Sequence, residues 1–447
     1  MDPIADINDI FSRALDRVNP YKMIANFMSL QDSILTIQSE TVALKENLLR
    51  YNKIYVLGIG KASSKMALAI EHILGTRITG GSVITKYGHA EKLHKINAME
   101  AGHPIPDENS LKGARLLYET ARDADENTLI INLVSGGGSA LFSLPREGIS
   151  LADMQQMTKI LLDCGADIKE INCIRKHISQ VKGGNFARIS YPARMINIIL
   201  SDVIGDRLDT IASGITVADK TTFIQAQRIL RKYQIEDKIP LPIKRIIESG
   251  VAGKIPDTPK EGDPVFTNVS NILLGNNLVA CKAARARGEE LGYKPIFITA
   301  SLSGEAREIA RFYSSIAKEV DQNNSDLKKP ALIIAGGETT VTIKGDGKGG
   351  RNQEMVLAFL IDLIESYEDF SNIYFLSAGT DGQDGPTDAA GAIVSFDVKS
   401  KIDRQRLDPW QFLENNDSYH FFEKTGNLYI TGPTNTNVCD MQLLIVS

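Results

Sequence analysis

Cysteine is scarce in this sequence: there are four in 447 residues, with no CxxC spacing and no cluster with histidine. This scarcity argues against a disulfide framework and a cysteine-ligated zinc site, and it indicates free thiols in a reducing compartment. No run of about eighteen apolar residues occurs, so no membrane span is expected. Acidic Asp2 and Asp6 stand where a signal peptide needs positive charge, and we therefore expect a cytoplasmic protein.

An excess of positive charge is also missing. Fifty Lys and Arg stand against fifty-five Asp and Glu, which gives a net charge of −5. A nucleic-acid-binding protein is normally basic, so we expect small-molecule partners and neither nucleic acid nor a membrane. A chain of 447 residues exceeds the size at which a single core stops growing, which predicts two domains. The oligomeric state stays open, with a homodimer as one alternative.

Short β-rich runs alternate with helical patterns from residue 53 onward. The apolar runs 53–57, 128–134 and 195–200 predict buried strands. Alternation of this kind is typical of βαβ units, and the proline-rich stretch 235–266 indicates a connector. We therefore predict an α/β fold: a Rossmann-like, mostly parallel sheet domain over 1–260 and a smaller α/β domain with a mixed sheet over 261–447. The active site is expected in the cleft between them.

Glycine clusters follow the predicted strands, where open α/β sheets bind ligands. The segment 58–63 (GIGKAS) lacks both the P-loop spacing and the third glycine of a dinucleotide fingerprint. It still directs free N–H groups and a lysine toward an anion, although a tight turn with a surface lysine is an equal alternative. The segment 135–139 (SGGGS) favours a nest of N–H groups around phosphate oxygens. The candidates for anion binding here are Gly60, Lys61, Ser63, Ser135, Gly136, Gly137, Gly138 and Ser139.

Charged side chains supply further candidates. Arg175 and Lys182 are candidate anion ligands, although a solvated helix face carries similar charges. Asp202 and Asp206 follow the run 195–200, where a carboxylate can accept a proton, bind Mg²⁺ or cap a helix. Arg351 suits bidentate binding of phosphate or carboxylate. The remaining candidates are Glu338 and Asn352 for phosphate or substrate, and Asp381, Asp384 and Asp388 for a divalent cation, with Asx turns as the alternative for these aspartates.

The ordered motifs resemble the glycerate 2-kinase family, whose carboxy-terminal part is called the MOFRL domain and corresponds to about 330–447 here. The resemblance covers nearly the whole chain from about residue 54. It rests on GIGKAS (58–63), TKYGHA (85–90), AGHPIPD (101–107), SGGGSAL (135–141), IRKHISQVKGG (174–184), LSDVIGDRLDTIASG (200–214), GGETTVT (336–342), GGRNQE (349–354), AGTDGQDGPTDAAGA (378–392) and TGPTNTNV (431–438). Ile215 stands where the family usually has proline, which changes the stiffness of a loop and not the expected chemistry.

The resemblance implies a transferase of carbohydrate metabolism that phosphorylates D-glycerate at the 2-hydroxyl, with ATP as donor and Mg²⁺ or a similar divalent cation. It implies active-site roles for Lys61 and Arg351, and the strand-end position of Asp202 adds a third catalytic candidate. A hydroxypyruvate reductase and another small hydroxy-acid or sugar-acid kinase are the alternatives. The residues alone do not determine whether the 2- or the 3-hydroxyl is phosphorylated. They also do not identify the loop that binds adenine.

Overall fold

The structure, a computed structural model, describes residues 2–40, 42–367 and 369–447. The chain forms two compact units, one spanning Pro20–Leu274 and the other combining Gly275–Ser447 with the residues up to Asn19. We call them the parallel-sheet unit and the mixed-sheet unit. Among the described residues, no helix is both long and apolar enough to cross a bilayer.

The parallel-sheet unit is built on a six-stranded sheet in the order β6-β5-β4-β7-β8-β9, with a separate three-stranded antiparallel sheet, β1-β2-β3. Its strands are β1 (Met28–Gln31), β2 (Ile34–Gln38), β3 (Ala43–Asn47), β4 (Lys53–Ile59), β5 (Gly80–Lys86), β6 (Asn97–Ala101), β7 (Thr128–Val134), β8 (Arg194–Leu200) and β9 (Val269–Gly275). Its helices are α2 (Pro20–Phe27), α3 (Ser63–Leu74), α4 (Glu108–Arg122), α5 (Gly138–Leu141), α6 (Leu151–Asp163), α7 (Ile168–His177), α8 (Asn185–Ser190), α9 (Phe223–Lys232) and α10 (Leu241–Val251).

Strand order in the large sheet reverses between β4 and β7, which are parallel neighbours. Every residue of β7 is buried, as expected for a central parallel strand covered on both faces. The predicted strands at 53–57, 128–134 and 195–200 are confirmed as β4, β7 and β8. The carboxyl ends of β4 and β7 therefore mark a topological switch point, where doubly wound sheets bind ligands.

A second hydrophobic cluster of this unit lies among four helices, α6, α7, α9 and α10. Met157, Ile174 and Ile243 are almost fully buried in it. Burying a side chain of this size contributes about 1.5–3 kcal/mol. One face of α6 is thereby fixed to the body of the unit.

The mixed-sheet unit has a six-stranded sheet in the order β10-β11-β15-β12-β13-β14, in which β10 and β11 are parallel and β15 is antiparallel to β11 and β12. Its strands are β10 (Lys294–Leu302), β11 (Ala331–Gly337), β12 (Ile373–Gly379), β13 (Gly391–Val394), β14 (Leu428–Tyr429) and β15 (Asp440–Val446). Its helices are α1 (Pro3–Arg17), α11 (Asn277–Glu290), α12 (Ala306–Asp321), α13 (Arg351–Ser366), α14 (Asp397–Gln405), α15 (Pro409–Glu414) and α16 (Ser418–Thr425).

These units divide the chain differently from the predicted domains 1–260 and 261–447. Strand β9, beyond residue 260, is the edge strand of the parallel sheet. Helix α1 belongs to the mixed-sheet unit, where Asp6 accepts a hydrogen bond from Tyr293 (2.7 Å) and Asp9 pairs with Arg287 (2.6 Å). The mixed sheet and the mostly parallel sheet themselves agree with the predicted fold class.

Candidate active site

Two glycine turns meet at the switch point of the parallel sheet, because the strands before them are neighbours. The N–H of Lys61 donates to the carbonyl of Gly136 (2.9 Å), and the N–H of Ala62 donates to Ser135 Oγ (3.0 Å). Gly60 has φ +116°, and a Cβ there would lie 2.3 Å from the Ser135 carbonyl oxygen, so the turn requires glycine. The two predicted anion-binding turns thus form one surface.

Three polar side chains lie against Gly136 and Gly137. A Cβ on Gly136 would lie 2.1 Å from an Asp202 carboxylate oxygen, and one on Gly137 would lie 2.8 Å from the His103 ring. The same position on Gly137 is 3.3 Å from Lys61 Cγ. Glycine at these two places therefore brings a lysine, a carboxylate and an imidazole against one loop.

The positive charge of Lys61 is uncompensated. In the part of the chain that the structure describes, no carboxylate forms an ion pair with its ammonium. Thr85 Oγ1 donates to the Lys61 carbonyl (3.1 Å), which fixes the backbone of the turn and leaves the side chain to another partner. A positioned cation beside a glycine loop is suited to an anionic ligand.

His103, which we did not single out from the sequence, reports the positive field of this site. Burial, followed by the charges of Lys61, Lys86 and His89, lowers the pKa of His103 from 6.5 to about 4. The ring is therefore neutral at pH 7. As pH falls from about 6.5 to about 4, the unfolded chain binds this proton before the folded chain, so His103 lowers stability over that range. Its place in the AGHPIPD motif is the only sequence feature that marks it.

We predict that the His103 ring titrates near pH 4 in the free protein and that this pKa rises by about one unit or more when an anion such as ADP binds, because the ligand offsets the neighbouring cations. NMR titration of the imidazole protons measures both values, and His103→Gln identifies the resonance. A His103 pKa near 6.5 that does not change when ADP binds would contradict the effect of the neighbouring positive charges.

The candidate Lys182 lies beneath the loop. Its buried ammonium donates to the carbonyls of Ser139 (2.6 Å) and Phe142 (3.0 Å). Burial and the nearby charge of Arg175 lower the pKa of Lys182 to about 7. Lys182 thus holds the backbone of the 135–142 segment in place. The candidate Ser63 is also turned inward, donating to the carbonyl of Gly60 (2.8 Å).

A strained turn packs against the same segment. Ala212 and Ser213 both have positive φ (+49° and +59°), which is costly for residues with a Cβ. Ser213 Oγ lies 2.6 Å from Ser139 Oγ, and a Cβ on Gly138 would lie 3.2 Å from that of Ala212. Sequence reasoning did not place these residues at the site, because positive φ at Ala and Ser has no compositional mark.

In the mixed-sheet unit, Arg351 opens α13. Its guanidinium makes a bidentate pair with buried Asp440 (2.5 and 2.9 Å) and contacts Glu338 (2.7 Å). Burial opposes the charge, but the hydrogen bonds and charge of Asp440 outweigh it and raise the pKa of Arg351. The structure therefore brings the candidates Arg351 and Glu338 together.

Two other candidates of this unit serve the start of α13. Buried Asp384 accepts hydrogen bonds from the backbone N–H groups of Asn352 (3.1 Å) and Gln353 (2.9 Å) and from both side-chain amides. Burial and the charge of Asp440 raise the pKa of Asp384 to about 6, against the effect of those bonds. Asp384 is thus a helix cap, and Asn352 is a buried partner of that cap.

The metal candidates are spread over separate turns. Asp388 accepts a hydrogen bond from Tyr419 (2.7 Å), Asp381 accepts one from the backbone N–H of Gln383 (3.1 Å), and Asp206 lies in a turn of the other unit with φ +52°. Over residues 2–40, 42–367 and 369–447, no three His, Cys, Asp or Glu side chains are grouped to hold a metal ion.

The fold and this site define an α/β protein with two glycine turns and a lysine at the switch point of a parallel sheet. Residues 6–248 match the family described as "Domain of unknown function (DUF4147)", and residues 331–440 match the MOFRL family. D-glycerate 2-kinase of Thermotoga maritima is 46% identical over 89% of this chain and 92% of its own length, and glycerate 2-kinase of Pyrococcus horikoshii is 41% identical over 99% and 98%. The chain belongs to the glycerate 2-kinase family.

Solved structures agree with this assignment. The crystal structure of glycerate kinase from Thermotoga maritima superposes with a TM-score of 0.87 at 41% identity, covering 99% of both chains. A more distant relative from Agrobacterium vitis bears the name hydroxypyruvate reductase, at 37% identity over 88% of this chain and 86% of its own length. The glycerate 2-kinases of Thermotoga maritima and Pyrococcus horikoshii exceed this relative both in identity and in coverage.

Proposed function

We propose that this protein transfers the γ-phosphoryl group of ATP to the 2-hydroxyl of D-glycerate, forming 2-phosphoglycerate and ADP. The observation that carries the proposal is the position of Lys61 beside the Gly136–Gly137 backbone, with no ion-pair partner among the residues that the structure describes and with Asp202 against the same loop. ATP and glycerate are both anions, and phosphoryl transfer depends on positioned cations and N–H donors that neutralise developing charge. The names of the most similar relatives support the same reaction.

Each side chain has a distinct role in this proposal. The backbone N–H groups of Gly136 and Gly137 and the Lys61 ammonium stabilise the transferring phosphoryl group. Asp202 accepts the proton of the 2-hydroxyl as its oxygen attacks phosphorus. Arg351 is the second cation that the family resemblance implies, and its pair with Asp440 holds the guanidinium in a fixed orientation.

The residues present could hold a divalent cation together with the phosphates of a bound nucleotide. Mg²⁺ in kinases is held largely by phosphate oxygens and waters, with one or two carboxylates, and needs no cage made of protein alone. Asp206, in the turn after β8, is the carboxylate that we propose for it. When bound, Mg²⁺ neutralises phosphate charge.

We predict that ADP release from ATP requires D-glycerate, stops in EDTA and needs no NADH. A coupled ADP assay with and without EDTA measures this directly. Turnover that continues undiminished in EDTA, or a reaction of hydroxypyruvate that depends on NADH, would refute the proposal.

The reductase alternative lacks structural support at the dinucleotide position. Ser63 occupies the place of the third glycine, and its hydroxyl is bonded within the turn. Strand β5, where a dinucleotide fold carries an acidic residue for the ribose, ends in Lys86. These features favour phosphoryl transfer over hydride transfer.

We predict that Asp202→Asn lowers kcat by about a hundredfold or more, because the amide keeps the shape of the side chain and cannot take the proton. The thermal stability of the variant should stay close to that of the unmodified protein. Glu147→Gln, at an exposed position of the same unit, is the control for general loss of negative charge. Full turnover by Asp202→Asn would reduce this residue to a structural role.

A further inference from the structure

A cavity of about 810 Å³ lies beside the glycine loop, entirely within the parallel-sheet unit. One wall is the segment His103–Pro106, and the opposite wall is a face of α6. Gln155 on α6 donates a hydrogen bond to the carbonyl of Pro106 (2.8 Å), which ties the walls together. The cavity is therefore a fixed feature of this unit.

The α6 wall is long and continuous. Ala152, Gln155, Lys159 and Leu162 line the cavity at helical spacing, and the opposite face of the helix is buried in the four-helix cluster. At 1.5 Å per residue, the lining stretch 152–163 extends about 16 Å. The cavity is thus far larger than a three-carbon acid requires, and its volume lies in the range of sites for whole cofactors.

Apolar groups face this space. Ile105 is 67% exposed and Leu162 is 62% exposed, and both line the cavity. Exposed side chains of this size gain about 25 cal/mol for each Å² of apolar surface that a ligand covers. The two side chains are suited to a flat, weakly polar group such as a nucleobase.

The cavity also contains a positively charged side chain that has no partner among the described residues. Arg175 lines the cavity, and its guanidinium has neither a hydrogen bond nor an ion pair with any residue that the structure describes. A partly buried, unpaired guanidinium is costly unless an anion meets it. The Gly137–Ser139 loop borders the same cavity and lies against Lys61. The positive charge of Lys61 would therefore stabilise an anionic group bound at the loop end of the cavity.

We infer that this cavity is the nucleotide site: the adenosine of ATP lies along α6 between Ile105 and Leu162, and its phosphates contact Arg175 and the Gly137–Ser139 loop. The inference rests on the proposed function, because it places the phosphoryl donor of that reaction. It assigns the recognition of adenine, which the sequence left open, to α6 and the His103–Pro106 segment. The γ-phosphate is thereby directed toward Lys61.

Calorimetric titration with ADP in the absence of glycerate tests the apolar contacts. The double variant Ile105→Ser/Leu162→Ser should weaken ADP binding tenfold or more while pyrophosphate, which has no base, binds within twofold of the unmodified protein. Leu116→Ser, an exposed leucine on α4 that does not line the cavity, is the matched control and should bind ADP normally. All three positions are exposed, so the fold should tolerate the changes.

A second variant tests the charged end. Arg175→Gln should weaken ADP and pyrophosphate by tenfold or more and leave adenosine binding unchanged. Unchanged ADP affinity in both Arg175→Gln and the double variant would overturn the inference, as would a raised KM for glycerate with normal ADP binding. If ADP binds with the expected variant effects but glycerate is not phosphorylated, the proposed function fails and the nucleotide site stands.

Discussion

Replacing Lys61 by alanine is expected to lower kcat/KM for glycerate phosphorylation by about a hundredfold or more. The ammonium is a positioned cation without a carboxylate partner among the described residues, so its removal takes away charge that stabilises the transferring phosphoryl group. Folding should survive, because the turn is held by backbone bonds from Lys61 and Ala62 that alanine keeps. Steady-state kinetics and thermal unfolding measure the two effects.

Lys65→Ala is the matched control for this experiment. Lys65 lies on α3, four residues beyond Lys61, and carries the same charge. Its removal should change kcat/KM by less than about threefold. Near-full activity in Lys61→Ala, or an equal loss in both variants, would contradict the proposed role of Lys61.

Replacing Arg351 by alanine is expected to reduce both activity and stability. The activity should fall about a hundredfold or more if the residue has the role that the family resemblance implies. The stability should also fall, because Asp440 is 1% exposed and would keep a buried carboxylate without its cation. Breaking such a pair costs about 3–5 kcal/mol when both groups are buried, and Arg351 is 33% exposed, so about 2 kcal/mol is expected.

The double variant Arg351→Ala/Asp440→Asn separates these two effects. Removing the orphaned charge should restore most of the lost thermal stability, while the catalytic defect remains. Thermal unfolding and steady-state kinetics on both variants decide the matter. Recovery of activity together with stability would show that Arg351 acts only through the fold.

The sheet was predictable from sequence where apolar runs are long. Strands β4, β7 and β8 have seven residues each, most of them buried, and their patterns alone locate them. Strands β1–β3 were not predicted, because each has only four or five residues with alternating exposure, and nearby polar residues interrupt the pattern. The placement of α1 with the mixed-sheet unit depends on contacts with residues such as Tyr293, far along the chain.

The site was partly predictable for a related reason. Glycine after a buried strand correctly marked the two turns that meet at the switch point, since their proximity follows from strand order. Polar candidates were harder to interpret. In the mixed-sheet unit, Asp384 and Asn352 form hydrogen bonds at the start of α13, and in the parallel-sheet unit Lys182 bonds to carbonyls beneath the glycine loop. Sequence shows that such groups are polar, and only the fold decides whether they face a ligand or their own backbone.

The most direct test of the account is a proton-coupled ³¹P NMR spectrum of the product formed from ATP, Mg²⁺ and D-glycerate. A phosphate on the secondary 2-hydroxyl has one proton on the neighbouring carbon and gives a doublet, whereas one on the primary 3-hydroxyl has two and gives a triplet. We predict the doublet of 2-phosphoglycerate, and enolase should consume this product without phosphoglycerate mutase. A triplet, or no new phosphoester resonance while ATP stays intact, would contradict the account.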